Sequence, residues 1–97
     1  MRTDSGQPVR IIFADFPQDI QGKVRGVTRA TAKGYTVLID SSRPAQTQRH
    51  TIGHELAHIF LKHFEISSDI AAIEREANKK AWHYYRLYKE QIRSGQG

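Results

Sequence analysis

His54 and His58 stand four residues apart with Glu55 between them, and residues 45–63 hold no helix breaker except Gly53. Four residues is just over one helical turn, so a helix projects both imidazoles from one face. It also sets Glu55 about 100° round from His54. The same phase gathers Ile52, Leu56 and Ile59 between about 140° and 200° from His54, with Phe60 at about 240°. The segment therefore reads as a helix with a greasy ridge made to lie on a sheet and, on the opposite side, a polar pair awaiting a partner. Gly53, at about 260°, permits another element to approach closely beside the ridge. Ser41-Ser42 before Arg43-Pro44 marks the start, with Ser42 or Arg43 near the cap and proline in the first turn.

Upstream the periodicity is that of strands. Residues 8–13 (PVRIIF) are short and apolar. Residues 22–30 alternate, with Lys23, Arg25 and Arg29 on one face and Val24 on the other, and residues 34–40 are rich in β-formers. Ala32-Lys33-Gly34 supplies a hairpin turn between the last two runs, so they are expected to pair antiparallel. Residues 16–22 link the first run to the second as a loop or a single helical turn. Downstream, Ser67-Ser68-Asp69 caps a second helix expected over residues 70–92. The fold class expected is α+β: a small antiparallel sheet of about three strands, a helix carrying the histidine pair, and a long C-terminal helix. All 97 residues are expected to form a single minimal domain, with residues 1–7 and 94–97 frayed.

Composition narrows the function classes. A chain this short buries only about 60–65% of its unfolded surface, so a bound metal could add appreciably to stability. It has no cysteine, which excludes a disulfide scaffold, a thiol nucleophile and a thiolate metal site. No apolar run approaches a membrane span, and the polar start MRTDSGQ does not read as a signal peptide, so the cytoplasm is the expected location and no membrane partner is expected. The net charge of +5 is uneven: residues 75–97 carry six Lys/Arg against two acids. A basic helix face of this kind is more often solvated surface than a nucleic-acid site, so nucleic acid is not the expected partner.

The histidine pair carries the chemistry. Imidazoles four apart on one face can both reach one zinc ion, while Glu55 sits beside the metal rather than on it. There it is placed to take a proton from water whose pKa the zinc has lowered toward about 7. His50 extends the pair to a ladder, but His50 and His58 are about 12 Å apart along the axis, so one ion cannot take all three. A His50–His54 pair would leave Glu55 less well placed and strand His58. His63 and His83 read as surface or half-buried histidines.

The segment R49-H-T-I-G-H-E-L-A-H-I-F-L61, followed by Glu74-Arg75-Glu76-Ala77-Asn78, resembles the ImmA/IrrE family of zinc metallopeptidases. That family shows an R-x-T-[IL]-x-H-E-[LI]-[GA]-H segment and then an E-x-[EQ]-A-[ND]-x-F-A helix. The similarity spans nearly the whole chain. Lys80 departs from the family's aromatic position, Ala81 keeps its alanine, and residues 82–88 (WHYYRLY) replace the usual Leu-Leu-Met-Pro continuation. The resemblance implies a zincin-like fold and a cytosolic zinc-dependent endopeptidase with Glu55 as general base. The partner it implies is a protein or peptide substrate, of which a helix-turn-helix repressor is the family's recurring example.

A catalytic zinc takes three protein ligands and keeps one position open. Glu65 follows the first helix too closely to turn inward, and Asp69 belongs to the cap, which leaves Glu74 and Glu76. On the second helix the inward set of Ile70, Ala77, Ala81, Tyr84 and Tyr88 has Glu74 at its margin, whereas Glu76 lies on the flank with His83. Glu74 is therefore the expected third ligand and Glu76 a surface carboxylate, although the family motif alone permits either. Asn78, four residues on, is placed to hydrogen-bond a ligand imidazole, and Ala77 and Ala81 are small enough to let the helices approach. Tyr84, Tyr85 and His83 are candidates for stabilising a tetrahedral oxyanion, against the plainer reading that they pack. An exposed sheet edge would hold an extended substrate by strand addition. Two other classes fit the same residues: a zinc-bound, peptidase-fold regulatory module acting by partner binding, and a nucleic-acid binder using the basic helix.

Overall fold

The computed structural model describes residues 1–19, 24–63 and 69–94. Three strands come first, β1 (Val9–Ala14), β2 (Gly26–Thr31) and β3 (Gly34–Asp40), followed by helices α1 (Ala45–Phe60) and α2 (Ile70–Ser94). The class is α+β. Residues 20–23 and 64–68, where part of the expected loop, the start of the second expected strand and most of the expected α2 cap fall, lie outside the described residues, as do residues 95–97.

β3 is the central strand of a sheet ordered β1-β3-β2. It pairs antiparallel with β2 from Gly26 opposite Ile39 to Thr31 opposite Gly34, across the expected Ala32-Lys33 turn. Gly34 closes this hairpin at φ 142°, a conformation open to glycine, with the Pro8 carbonyl oxygen where a Cβ would stand. β1 lies on the other side of β3 and runs parallel to it, Val9 opposite Tyr35 through Ala14 opposite Asp40. The sheet is thus mixed rather than wholly antiparallel. The tight turn fixes only the β2–β3 direction, whereas the long connection from Ala14 to Gly26 lets the chain return to either end of the sheet. Residues 1–7 close a turn. The Thr3 amide donates to Gln7 O and Val9 to Met1 O, both at 2.8 Å.

α1 begins later than Ser42. Its N-cap is Pro44, with no side-chain cap. The Ser42 hydroxyl donates to Asp40 Oδ1 at 2.7 Å instead, and the Gln48 side-chain amide donates to Arg43 O at 2.7 Å. Asp69 opens α2, its Oδ1 accepting the Ala71 amide at 3.0 Å. No described helix is long and apolar enough to cross a membrane.

α1 lies between the sheet and α2. Its ridge of Ile52, Leu56 and Ile59 packs with Val9, Val37 and Ile39 of the sheet. Its other buried face is made of very small residues. Gly53 meets the backbone of Ala81, and Ala57, Ala77 and Ala81 are fully buried. A Cβ on Gly53 would land on the Ala81 carbonyl oxygen.

Gly53→Ala therefore sets two effects of opposite sign against each other. Helix propensity favours alanine by about 1 kcal/mol. Overpacking against a fixed backbone costs about 1–3 kcal/mol or more, and here the obstacle is a carbonyl rather than a flexible side chain. The overpacking wins, and Gly53→Ala is expected to lower the thermal midpoint by roughly 5–10 °C. A midpoint equal to or above the wild type in calorimetry would contradict this packing.

Candidate metal centre

α1 and α2 run antiparallel: Gly53 meets Ala81, His54 meets Asn78 and His58 meets Glu74. Glu74, Asn78 and Ala81 are spaced i, i+4, i+7 and so share the face of α2 that looks at α1. The approach permitted by Gly53 and the two alanines brings Glu74 to the histidines. Its Oε2 lies 3.0 Å from His54 Nε2 and its Oε1 3.3 Å from His58 Nε2, and the two Nε2 atoms are 3.1 Å apart. One ligand atom from each of the three residues falls within 4.8 Å of the others, a group able to hold a metal ion. Ligands about 2.0–2.1 Å from one tetrahedral ion stand roughly 3.4 Å from each other, so these separations suit a single small cation.

Glu55 flanks this triangle. Thr28 on β2 donates its hydroxyl to Glu55 Oε1 at 2.6 Å, which fixes the carboxylate against the sheet. Burial pushes the Glu55 carboxyl above its ordinary value, outweighing the Thr28 hydrogen bond and the field of His54, and Glu74 adds to the rise. Burial holds His58 below the ordinary imidazole range, with His54 adding to the effect. His58 therefore stays neutral near pH 7, as a ligand nitrogen must.

Two hollows meet at the triangle. One, of about 470 Å³, is bordered by Arg25, His50, His54, Glu55, Glu74 and Asn78. The other, of about 370 Å³, is bordered by Thr28, Glu55, His58, His63, Ile73 and Glu74. β2 walls both hollows and, among the described residues, pairs only with β3, so its outer edge keeps open backbone groups beside the site.

The structure brings His54, His58 and Glu74 together, with Glu55 alongside. Asn78 meets His54 as expected, Nδ1 to Oδ1 at 2.8 Å. It does not bring Tyr84, Tyr85 or His83 there. Tyr84 stacks on Phe60 with ring centres 5.6 Å apart, Tyr85 packs edge-on against Trp82, and His83 is exposed beside Tyr84. His50 borders the first hollow together with His54 and is set edge-on against Trp82. His63 was expected at the surface or half-buried. It is 6% exposed, with its Nδ1 2.9 Å from His58 Nδ1 and its Nε2 2.6 Å from Glu76 Oε1. Glu76, expected as a plain surface carboxylate, thus has a partner. The spacing of five between His58 and His63 gave no helical-face signal, because α1 ends at Phe60 and Lys62 turns the chain at φ 59°. Thr28 was hidden for the opposite reason: a threonine in a strand is unremarkable until the helix it faces is known.

A histidine pair on one helix, a carboxylate from the next and a second carboxylate alongside define a metallopeptidase-like domain. The family model of the IrrE N-terminal-like domain, peptidase family M78, matches residues 5–85, and the chain belongs to that family. Comparisons with curated proteins and with solved structures yield no match.

The raised Glu55 carboxyl has a consequence for stability. It binds its proton more tightly in the folded chain than in the unfolded one. The stability it withholds is fully present below the unfolded value of about 4.3 and lost as pH rises from there through the folded value. In chain stripped of metal, Glu55→Gln keeps the oxygen that Thr28 needs and removes the half-buried charge. Its thermal midpoint should exceed the wild type at pH 7, with the gap closing toward pH 4. A midpoint below the wild type at pH 7 would contradict the burial argument.

Proposed function

We propose that the chain is a zinc-dependent endopeptidase in which His54, His58 and Glu74 hold the metal and Glu55 is the general base. The observation that carries this reading is the convergence of three ligand atoms within 4.8 Å beside a carboxylate already held by Thr28. Two imidazoles and one carboxylate suit zinc in a hydrolytic site, with the fourth position left open. The bound ion would supply Lewis acidity, polarising the scissile carbonyl and acidifying water.

The protein's own groups do the rest. Thr28 occupies Glu55 Oε1 and sets the carboxylate's orientation, which leaves Oε2 to accept a proton from the attacking water. As the C–N bond breaks, that proton passes to the departing amide nitrogen, so Glu55 ends as it began. A carboxylate set against the sheet rather than in open water is a stronger base, which suits the accepting half of this shuttle. The open edge of β2 would receive an extended segment of substrate by strand addition and lay its backbone across the two hollows. A helix-turn-helix repressor is the substrate class the family resemblance supplies, and the cytoplasm is the proposed setting.

Zinc-loaded chain should cleave members of a quenched-fluorescent peptide library, lose that activity to a chelator and regain it with zinc. Glu55→Gln should bind zinc as the wild type does while cleavage falls about 100-fold or more. Cleavage that survives in Glu55→Gln would remove the general base from this account. Zinc binding with no cleavage of any peptide, or of a candidate protein partner that the chain binds, would favour the regulatory module instead.

A further inference from the structure

His63 borders the second hollow, and with Glu76 it forms an unbroken chain of contacts to His58. Glu76 Oε1 lies 2.6 Å from His63 Nε2, and His63 Nδ1 lies 2.9 Å from His58 Nδ1. A carboxylate oxygen only accepts, so His63 Nε2 must donate. With its hydrogen on Nε2, a neutral His63 presents a lone pair at Nδ1. Two facing lone pairs repel at 2.9 Å, so His58 Nδ1 must carry hydrogen and donate. His58 is then left with a lone pair on Nε2, the atom that faces Glu74 and His54. With both rings neutral the roles close along Glu76, His63 and His58, and the acceptors left facing one another are those around Glu74.

We propose that Glu76 and His63 are positioning residues that fix the tautomer and ring orientation of His58, and so pre-form the metal centre. The role rests on the metal reading above and deepens it. His54 is set in the same sense by a shorter device: Asn78 Oδ1 can only accept, so His54 Nδ1 donates at 2.8 Å and its Nε2 also keeps a lone pair. Each nitrogen facing Glu74 is therefore an acceptor. Two lone pairs and a carboxylate converge on one point, an arrangement that a divalent cation satisfies and a single proton satisfies only in part. Partners of this kind also raise ligand basicity, and their loss typically costs about 10- to 100-fold in metal affinity.

Geometry distinguishes this role from simple packing. The Glu76 side chain is 52% exposed while that of His63 is 3% exposed, so Glu76 contributes little to the core. Its removal should leave the fold standing. It should also act on His58 without touching it.

The test uses the full chain, zinc ion as the only ligand, and competition with a chromophoric chelator to read affinity. Wild type is expected to bind one zinc. Glu76→Ala, checked for folding by circular dichroism, should bind one zinc about 10- to 100-fold more weakly. Glu76→Gln, whose amide oxygen still accepts from His63, should recover most of the loss. A second readout needs no metal: two-bond proton–nitrogen correlation spectra of histidine-labelled chain should show His58 protonated at Nδ1 in wild type. The same spectra should show a mixed or reversed tautomer in Glu76→Ala. Affinities within twofold for wild type and Glu76→Ala, or a His58 protonated at Nε2 in wild type, would overturn the proposal. A wild type that binds no zinc would overturn the metal reading itself and the role built on it, and is told apart because it appears before any substitution.

Discussion

The close approach of α1 and α2 is the constraint on which the rest depends. Gly53 rests on the backbone of Ala81, and Ala57, Ala77 and Ala81 are fully buried, so nothing larger than a methyl group holds the helices apart there. Glu74 lies two turns before Ala81 on the same helical face, and its short side chain reaches His54 and His58 because the helices are that close. A metal centre needs its ligand atoms placed to within a few tenths of an ångström, and sites on packed helices meet that demand better than sites on loops. The sheet contributes the other fixed point. The ridge of Ile52, Leu56 and Ile59 sets α1 on β3, and in that seating Thr28 of β2 meets Glu55.

The electrostatics of the site follow from this packing. Placing a carboxylate at Glu55 against the sheet, with a second carboxylate nearby, costs stability that a purely structural domain would shed. The same burial disfavours the charged form of His58. The His58 shift favours the neutral imidazole that a metal ligand must be, and the Glu55 shift makes its carboxylate a stronger base than an exposed one.

Much of this was legible in the sequence, and the parts that were not share a cause. The α1 ridge, the His54–His58 pair, the β2–β3 hairpin and the start of α2 rest on local periodicity and capping, which a sequence carries explicitly. The placement of Glu74 rather than Glu76 beside the histidines followed from helical phase, because α2 is long and its alanines mark its inward face. The direction of β1 did not follow, since a six-residue apolar strand pairs equally well either way. His63 and Thr28 were missed because each acquires its partner through tertiary packing across 13 and 27 residues of chain. The aromatic residues of α2 followed the plainer of their two readings: Tyr84 stacks on Phe60, and Tyr85 and Tyr88 pack against the buried cluster.

The proposed site holds one small cation by two imidazoles and one carboxylate. X-ray absorption spectroscopy of the chain loaded with one equivalent of zinc reads that ligand set directly. The expected result is a four-coordinate shell of nitrogen and oxygen near about 2.0–2.1 Å, with the outer-shell scattering of two imidazoles. Three or more imidazoles would mean that His50 or His63 ligates the ion, and none would mean that the metal lies elsewhere. Either result would contradict the site described by His54, His58 and Glu74.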